Sequence, residues 1–173
     1  MDTSKSIREF GVILGRMPAG ARNAITDVAG VAVGHATRLE GTARTGVSVV
    51  LPHSDNLYRE KVVAAQYVLN GFGKSTGLVQ VEELGTIETP IALTNTFAVG
   101  TCATALVRHA IATNPDIGRR TVTVNPVVLE CNDGFLNDIQ ALAVAEQDVG
   151  AALATAGPEV AQGAVGAGTG MSA

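Results

Sequence analysis

The segment TGVSVVL, residues 45–51, has the strongest strand character in this 173-residue chain. Its larger apolar residues are mostly β-branched, which favours extended backbone, and Pro52 follows at the point where a strand would end. A run that is apolar at successive positions is typical of a strand buried on both faces. The segment therefore predicts a central strand of a layered domain.

Segments of both secondary-structure types surround this strand. Further strands are predicted near Val31 and Val33 and over residues 78–81, 90–94 and 121–129. Helical patterns occupy residues 59–69, 100–109 and 138–156. Mixed strands and helices of this kind predict an α/β or α+β layered fold in a single domain spanning residues 1–173.

Composition excludes several functional classes. Hydrophobic residues make up 46% of the chain and charged residues 16%, with a formal net charge of −4. The basic residues are scattered and form no long basic face, so nucleic acid is not an expected partner. No apolar run approaches the roughly 20 residues that span a bilayer, and residues 1–14 are too charged for a signal peptide. These features predict a cytoplasmic protein that does not enter a membrane.

The last segment, residues 157–173, has the sequence GPEVAQGAVGAGTGMSA. A glycine-rich run without a strand or a helix start is typical of a connector between two elements. We therefore expect the domain to be incomplete at its C-terminus, with its continuation missing from these residues. The alternative is a frayed chain end.

Metal, nucleotide and serine-triad sites find little support in the sequence. Two cysteines, Cys102 and Cys131, and three widely spaced histidines lack metal-ligand spacing. The segment Gly73-Lys74-Ser75 lacks the first glycine of a phosphate loop, and the glycines at 166, 168 and 170 miss the dinucleotide spacing. No serine lies in a G-x-S-x-G motif. These patterns disfavour a metal site, a nucleotide site and a serine triad within these residues.

The segment ECNDG, residues 130–134, carries the clearest chemical signal. Glu130 ends a predicted buried strand, where the scaffold would fix its carboxylate and partial desolvation would strengthen pairing with a substrate ammonium. Asp133 and Asp138 have a simpler interpretation, as an Asx turn and a helix N-cap. Asn95 and Thr96, between a predicted strand and a predicted helix, either line a site or cap that helix.

A series of segments, taken in order, resembles the L-aminopeptidase/D-amidase/D-esterase family, which includes the β-aminopeptidases. The resemblance runs from about residue 20 to the end of the chain. The segments that carry it are NAITDVAGVAVGH (23–35), TGVSVVLP (45–52), NGFGKSTGL (70–78), ETPIALTNTFAVG (88–100), ECNDGFLNDI (130–139) and GAGTGM (166–171).

This resemblance implies a four-layer βααβ sandwich like that of N-terminal-nucleophile hydrolases, with this chain contributing most of the larger subunit. Members of the family cut themselves before a serine, which becomes the nucleophile, and they assemble as oligomers of the processed heterodimer. They release N-terminal residues, including D- or β-amino acids, from short peptides, amides or esters, and they use no cofactor. The serine would lie outside this chain, on the smaller subunit.

The resemblance also implies roles for individual residues. Glu130 occupies the position that receives the free amino group of the substrate, and Asn132 occupies a pocket-lining position. Lys74, Ala164 and Ala167 depart from the usual pattern, as does the small side chain of Asn132, which puts substrate preference in doubt more than reaction class. Two alternatives remain open: an acyl transferase like ornithine acetyltransferase, with a threonine nucleophile, and a catalytically inactive assembly module.

Overall fold

A four-stranded sheet forms the centre of the structure, a computed structural model in which residues 7–172 are described. The strands are β1 (Ala32–Arg38), β2 (Thr45–Leu51), β3 (Val62–Val63), β4 (Thr86–Ile87), β5 (Ile91–Asn95) and β6 (Val127–Cys131). The central sheet has the order β1-β2-β5-β6, in which only β5 and β6 run parallel, and β3 pairs with β4 separately. The strand predicted at residues 45–51 is confirmed with the same bounds.

Two helices, α2 (Val99–Thr113) and α3 (Glu146–Ala154), cover one face of this sheet. A shorter helix, α1 (Leu78–Leu84), contacts β4 instead. Helix α3 packs on β1 and β2, while α2 packs on β5 and β6 and against α3. The core between these layers includes the fully buried side chains of Val47, Val49, Leu106 and Val128. No helix among residues 7–172 is long and apolar enough to cross a membrane.

The opposite face of β2 is covered by the glycine-rich tail. Side chains alternate along a strand, so Ser48 points away from the helix-facing Val47 and Val49. Ser48 Oγ accepts a hydrogen bond from Ala167 N at 3.1 Å, and Thr37 Oγ1 accepts one from Gly166 N at 2.8 Å. Residues 166–170 therefore dock on the sheet. Burial of β2 on both faces, expected from its sequence, results from this second layer.

Close approach explains the glycine at position 166. Its φ is 52°, and a Cβ atom there would lie 2.4 Å from Ser48 Oγ. Any side chain at this position would push the tail away from the sheet. The final residue, Ala173, lies outside the described residues, as do residues 1–6, on which part of the expectation about the N-terminus rests.

The helix predicted at residues 59–69 and the strand predicted at 78–81 are both wrong. The first segment contains only the short strand β3, and the second lies in helix α1. Val62, Val81 and Ile87 pack together with Val127 in a small cluster of their own. Short apolar runs fit a strand and a buried helix equally well, and here tertiary contacts decided between them.

Two other predicted elements are shorter than expected. Residues 138–156 were predicted to form one helix, but Leu142 adopts a left-handed φ of 47° and α3 begins only at Glu146. Residues 121–129 were predicted to form a strand, but β6 begins at Val127. Pro126, which has no backbone N–H to donate, immediately precedes it.

Acidification should loosen the sheet through His35. His35 Nδ1 lies 2.8 Å from Ser48 Oγ beneath the tail, and burial lowers the pKa of His35 below its ordinary value of 6.5. The unfolded chain therefore binds this proton more readily, so stability is lost as pH falls below 6.5 and through the folded-state pKa. We expect the Tm of the complete protein to fall over this range, less steeply in a His35→Asn variant.

Candidate active site

The carboxyl ends of β5 and β6 bring the predicted site residues together. The two strands are parallel and in register, with Thr94 opposite Glu130 and Asn95 opposite Cys131. Parallel strands present their carboxyl ends at the same edge of a sheet, where loops are free to form a binding site. Glu130 is half-buried at this edge and lies within β6, one residue before its end, where the sequence predicted the strand to stop at Leu129.

Two neutral donors hold the carboxylate of Glu130. Oε1 accepts a hydrogen bond from Lys74 N at 2.9 Å, and Oε2 accepts one from Thr96 Oγ1 at 2.6 Å. Among residues 7–172, no ion pair within 4.0 Å includes Glu130. The carboxylate is thus oriented but not neutralised, an arrangement that suits a cationic group.

The sequence left open whether Asn95 and Thr96 cap the helix or line the site, and the structure gives the two residues different roles. Asn95 is the helix cap: its Oδ1 accepts from Phe97 N and Ala98 N, both at 3.0 Å, at the start of the turn Thr96–Ala98. Thr96 turns toward Glu130 instead. Only the three-dimensional structure separates the two, because neighbouring residues in a strand-to-helix turn point in different directions.

A cleft of about 330 Å³ opens in front of Glu130. It is bordered by the loop 70–74, by Thr96 and by the segment 130–132. Asn132 lines it as expected, but Asn132 Oδ1 also accepts from Gly134 N at 2.8 Å. Asn132 therefore makes the Asx turn that was expected at Asp133, and its NH₂ group is the part that remains for a ligand.

Neither Asp133 nor Asp138 lines this cleft. Asp133 is fully buried, and its Oδ1 accepts from Asn137 Nδ2 at 3.0 Å. Asp138 precedes the turn Ile139–Ala141 as expected of a cap, but its side chain makes no capping hydrogen bond. Thr42 Oγ1 donates to it instead, at 3.4 Å.

A second cavity, of about 340 Å³, lies at the other end of the sheet beside the last turn of α2. Its buried carboxylate, Glu88, forms an ion pair with Lys61, and Glu88 Oε1 accepts from Asn125 N at 2.8 Å. That carboxylate is already neutralised, whereas Glu130 is not. Of the two carboxylates, Glu130 is therefore the better placed to bind a cationic group.

Among residues 7–172, the cysteines and the potential metal ligands give little support for thiol or metal chemistry. Burial raises the pKa of the Cys102 thiol to about 11, so it stays protonated in the core. Cys131 is exposed and borders the cleft. Residues 7–172 contain no cluster of three or more His, Cys, Asp or Glu side chains that could hold a metal ion.

The sequence of this chain matches the model of peptidase family S58 over residues 23–173. The chain belongs to peptidase family S58. Two curated relatives, both β-peptidyl aminopeptidases BapA, are 40% identical to it. The one from Sphingosinicella microcystinivorans aligns with 95% of this chain and 42% of its own length, and the one from Sphingosinicella xenopeptidilytica with 96% and 43%. The resemblance found in the sequence is confirmed.

Solved structures agree with this S58 assignment. The chain matches protein PH0078 of Pyrococcus horikoshii OT3 with a TM-score of 0.93 and 49% identity, over 96% of this chain and 50% of that one. It matches a Burkholderia sp. β-aminopeptidase with a TM-score of 0.86 and 43% identity, over 95% and 47%. The L-aminopeptidase D-Ala-esterase/amidase of Ochrobactrum anthropi gives 0.83 and 35%, over 95% and 48%.

These comparisons establish the fold class of this chain. The Ochrobactrum anthropi enzyme is described as a new variant of the Ntn-hydrolase fold, which confirms the predicted α/β (α+β), N-terminal-nucleophile-hydrolase-like class. The chain spans about half the length of the curated relatives and solved structures that it matches.

Gly73 keeps the loop close to Glu130, and an alanine there should weaken substrate binding. A Cβ atom at this position would lie 3.0 Å from Glu130 Oε1, which is too close for an ordinary contact. The carboxylate is the movable partner and would shift away from Lys74 N. For the aminopeptidase activity proposed below, we expect Gly73→Ala to raise KM for substrates with a free amine several-fold, with a smaller change in kcat.

Gly71 in the same loop offers a matched control for this substitution. A Cβ atom there would meet nothing nearer than Val68 Cγ1 at 4.0 Å. Steady-state kinetics of Gly71→Ala should match the parent protein. Equal KM values for Gly73→Ala and Gly71→Ala would contradict the expectation that a side chain at position 73 displaces the Glu130 carboxylate.

Proposed function

We propose that this chain is the larger-subunit portion of a self-processing serine aminopeptidase or amidase. The complete protein would release N-terminal amino acids from short peptides, amides or esters, with D- and β-amino acids among the candidate residues. The observation that carries this proposal is the oriented, unneutralised carboxylate of Glu130 facing an open cleft. The names of the relatives, β-peptidyl aminopeptidase and β-aminopeptidase, support the same reaction class.

Glu130 would select for a free amine at the start of the substrate. Its two hydrogen-bond donors fix the carboxylate, so the substrate ammonium meets an acceptor that needs no reorganisation. The NH₂ group of Asn132 lies at the border of the same cleft and would contact the first residue. Binding at one end of the substrate then places the scissile carbonyl at a fixed distance from the amine.

The nucleophile would come from the smaller subunit. Ser48 forms a serine–histidine pair with His35, but Ser48 is only 5% exposed and also accepts from Ala167 N beneath the tail. No substrate could reach it there, so this pair fastens the tail to the sheet. We propose that an N-terminal serine on a second polypeptide attacks the carbonyl, forms an acyl-enzyme with release of the amine or alcohol, and is regenerated by water.

The proposed partners are this smaller subunit and further copies of the processed heterodimer. The part of the relatives beyond this match has no counterpart among these residues. No metal or organic cofactor takes part in the proposed mechanism.

The function is tested on the complete expressed protein. We expect its intact mass to show two polypeptides, the smaller beginning with serine, and the protein to release p-nitroaniline from amino-acid p-nitroanilides. N-acetylated p-nitroanilides, which carry no ammonium, should not be hydrolysed. A new N-terminal threonine with acetyl transfer to an amino acid would favour the acyl transferase. Absence of any release or transfer would favour an assembly module.

A further inference from the structure

The cleft at Glu130 also presents a cation, the ammonium of Lys74. Lys74 Nζ donates to Phe72 O at 2.9 Å and lies 4.1 Å from the centroid of the Phe72 ring. Both residues border the cleft and both are exposed. The same residue therefore holds the Glu130 carboxylate with its backbone N–H and supplies a positive charge with its side chain.

The two opposite charges of the cleft do not neutralise each other. Within residues 7–172, no ion pair within 4.0 Å joins Lys74 to a carboxylate. Glu130 is occupied by neutral donors and Lys74 by a carbonyl and an aromatic ring. An ammonium has three donors, so one hydrogen bond to Phe72 O leaves Lys74 able to bind an anion.

A cleft with a separate anion and cation complements a ligand that carries both charges. Its volume of about 330 Å³ suits a small amino-acid derivative or dipeptide. A ligand ammonium would bind Glu130, and a carboxylate on the same ligand would bind Lys74. A neutral or basic ligand would satisfy only the first of these two charges.

We propose that Lys74 determines specificity by favouring substrates that carry a carboxylate in addition to the free amine. This inference rests on the proposed aminopeptidase function of the same cleft. The carboxylate has two chemical sources: an acidic side chain on the first residue of the substrate, or the terminal carboxylate of a dipeptide. Both sources offer the same anionic group to the ammonium of Lys74.

The first arm of the test compares two isosteric substrates, glutamic acid α-p-nitroanilide and glutamine p-nitroanilide, with the complete protein. If the side chain supplies the carboxylate, kcat/KM should be higher for the glutamic acid derivative. Lys74→Gln should lower that ratio by about twofold to fivefold, as for an exposed ion pair, and Lys74→Arg should largely retain it. The measured quantity is the ratio of kcat/KM for the glutamic acid derivative to kcat/KM for the glutamine derivative. A loss of folded protein or of general catalytic rate affects both substrates equally and cancels in this ratio.

The second arm compares a dipeptide with its C-terminal amide, both with a neutral first residue. If the terminal carboxylate is the source, the dipeptide should be favoured and Lys74→Gln should reduce that preference. Raising the salt concentration should shrink whichever preference is found, because exposed charges are screened.

Arg119→Gln is the matched control. It removes one positive charge beyond the C-terminal end of α2, whereas the cleft lies at the end where Thr96 leads into that helix. Both ratios should be unchanged in this variant. A general effect of net charge would move them equally in Arg119→Gln and Lys74→Gln.

The outcomes separate this inference from the function on which it rests. Measurable hydrolysis with both ratios near one, or with ratios that Lys74→Gln leaves unchanged, would overturn the role of Lys74 and leave the aminopeptidase intact. Absence of hydrolysis for all free-amine substrates would overturn the proposed function itself.

Discussion

Replacing Glu130 by glutamine in the complete protein is expected to lower kcat/KM for free-amine substrates by roughly 10- to 100-fold. The variant keeps the size of the side chain but removes the charge that would bind the ammonium, and hydrogen bonds to charged groups contribute about 1.5–3 kcal/mol. The loss should fall mainly on KM, because the carboxylate binds the substrate and takes no part in bond breaking. Steady-state kinetics with alanine p-nitroanilide would measure it.

Self-cleavage should be largely intact in the same variant, since Glu130 is proposed to bind substrate and not to process the precursor. Glu83→Gln is a suitable control because it makes the same charge change on α1, at an exposed residue that does not border the cleft. Unchanged turnover in Glu130→Gln would remove the central support for an amine-binding site at the end of β6.

Introducing a single methyl group at Gly34 is expected to destabilise the protein by about 3 kcal/mol or more. A Cβ atom there would lie 1.9 Å from Ala152 O and 2.9 Å from Ala156 N, which are backbone atoms in and just after α3. Backbone atoms cannot rotate away as a side chain does, so α3 would have to lift off β1. Thermal unfolding of the complete protein should show a Tm lower by many degrees.

Gly150, in the helix that packs on β1, provides the control substitution. It lies within α3, is exposed, and has no atom within 4 Å of the Cβ that alanine would add. Alanine in a helix interior is favoured over glycine by about 0.5–1 kcal/mol, so Gly150→Ala should leave Tm unchanged or raise it. A similar Tm for Gly34→Ala and Gly150→Ala would show that α3 does not pack as closely on β1 as the structure indicates.

Gly34 also shows what the sequence could not indicate. The alternation of Val31 and Val33 before it predicted a strand here, and β1 runs from Ala32 to Arg38 with Gly34 inside it. A glycine in sequence is compatible with a turn and with a close contact between elements. The contact with α3 involves residues more than a hundred positions away, which no local pattern records.

The candidate site likewise contains one residue that the sequence could indicate and contacts that it could not. Glu130 could be found from the sequence because it follows a buried strand and precedes a turn, and both signals are local. Its two donors could not be identified, since Lys74 and Thr96 lie 56 and 34 residues earlier in the chain. The position of the loop 70–74 beside the carboxylate likewise depends on tertiary packing.

The sequence by itself determined the buried strand Thr45–Leu51, the mixed α+β class, the family and the acidic residue at the end of β6. Such features follow from hydrophobic periodicity and from ordered motifs along the chain. Tertiary structure alone decided the geometry of the cleft, the docking of the tail over Ser48 and the separation of the Lys74 ammonium from the Glu130 carboxylate. The physical reason is that hydrogen bonds and close packing between distant residues depend on distances in space, which the order of residues does not specify.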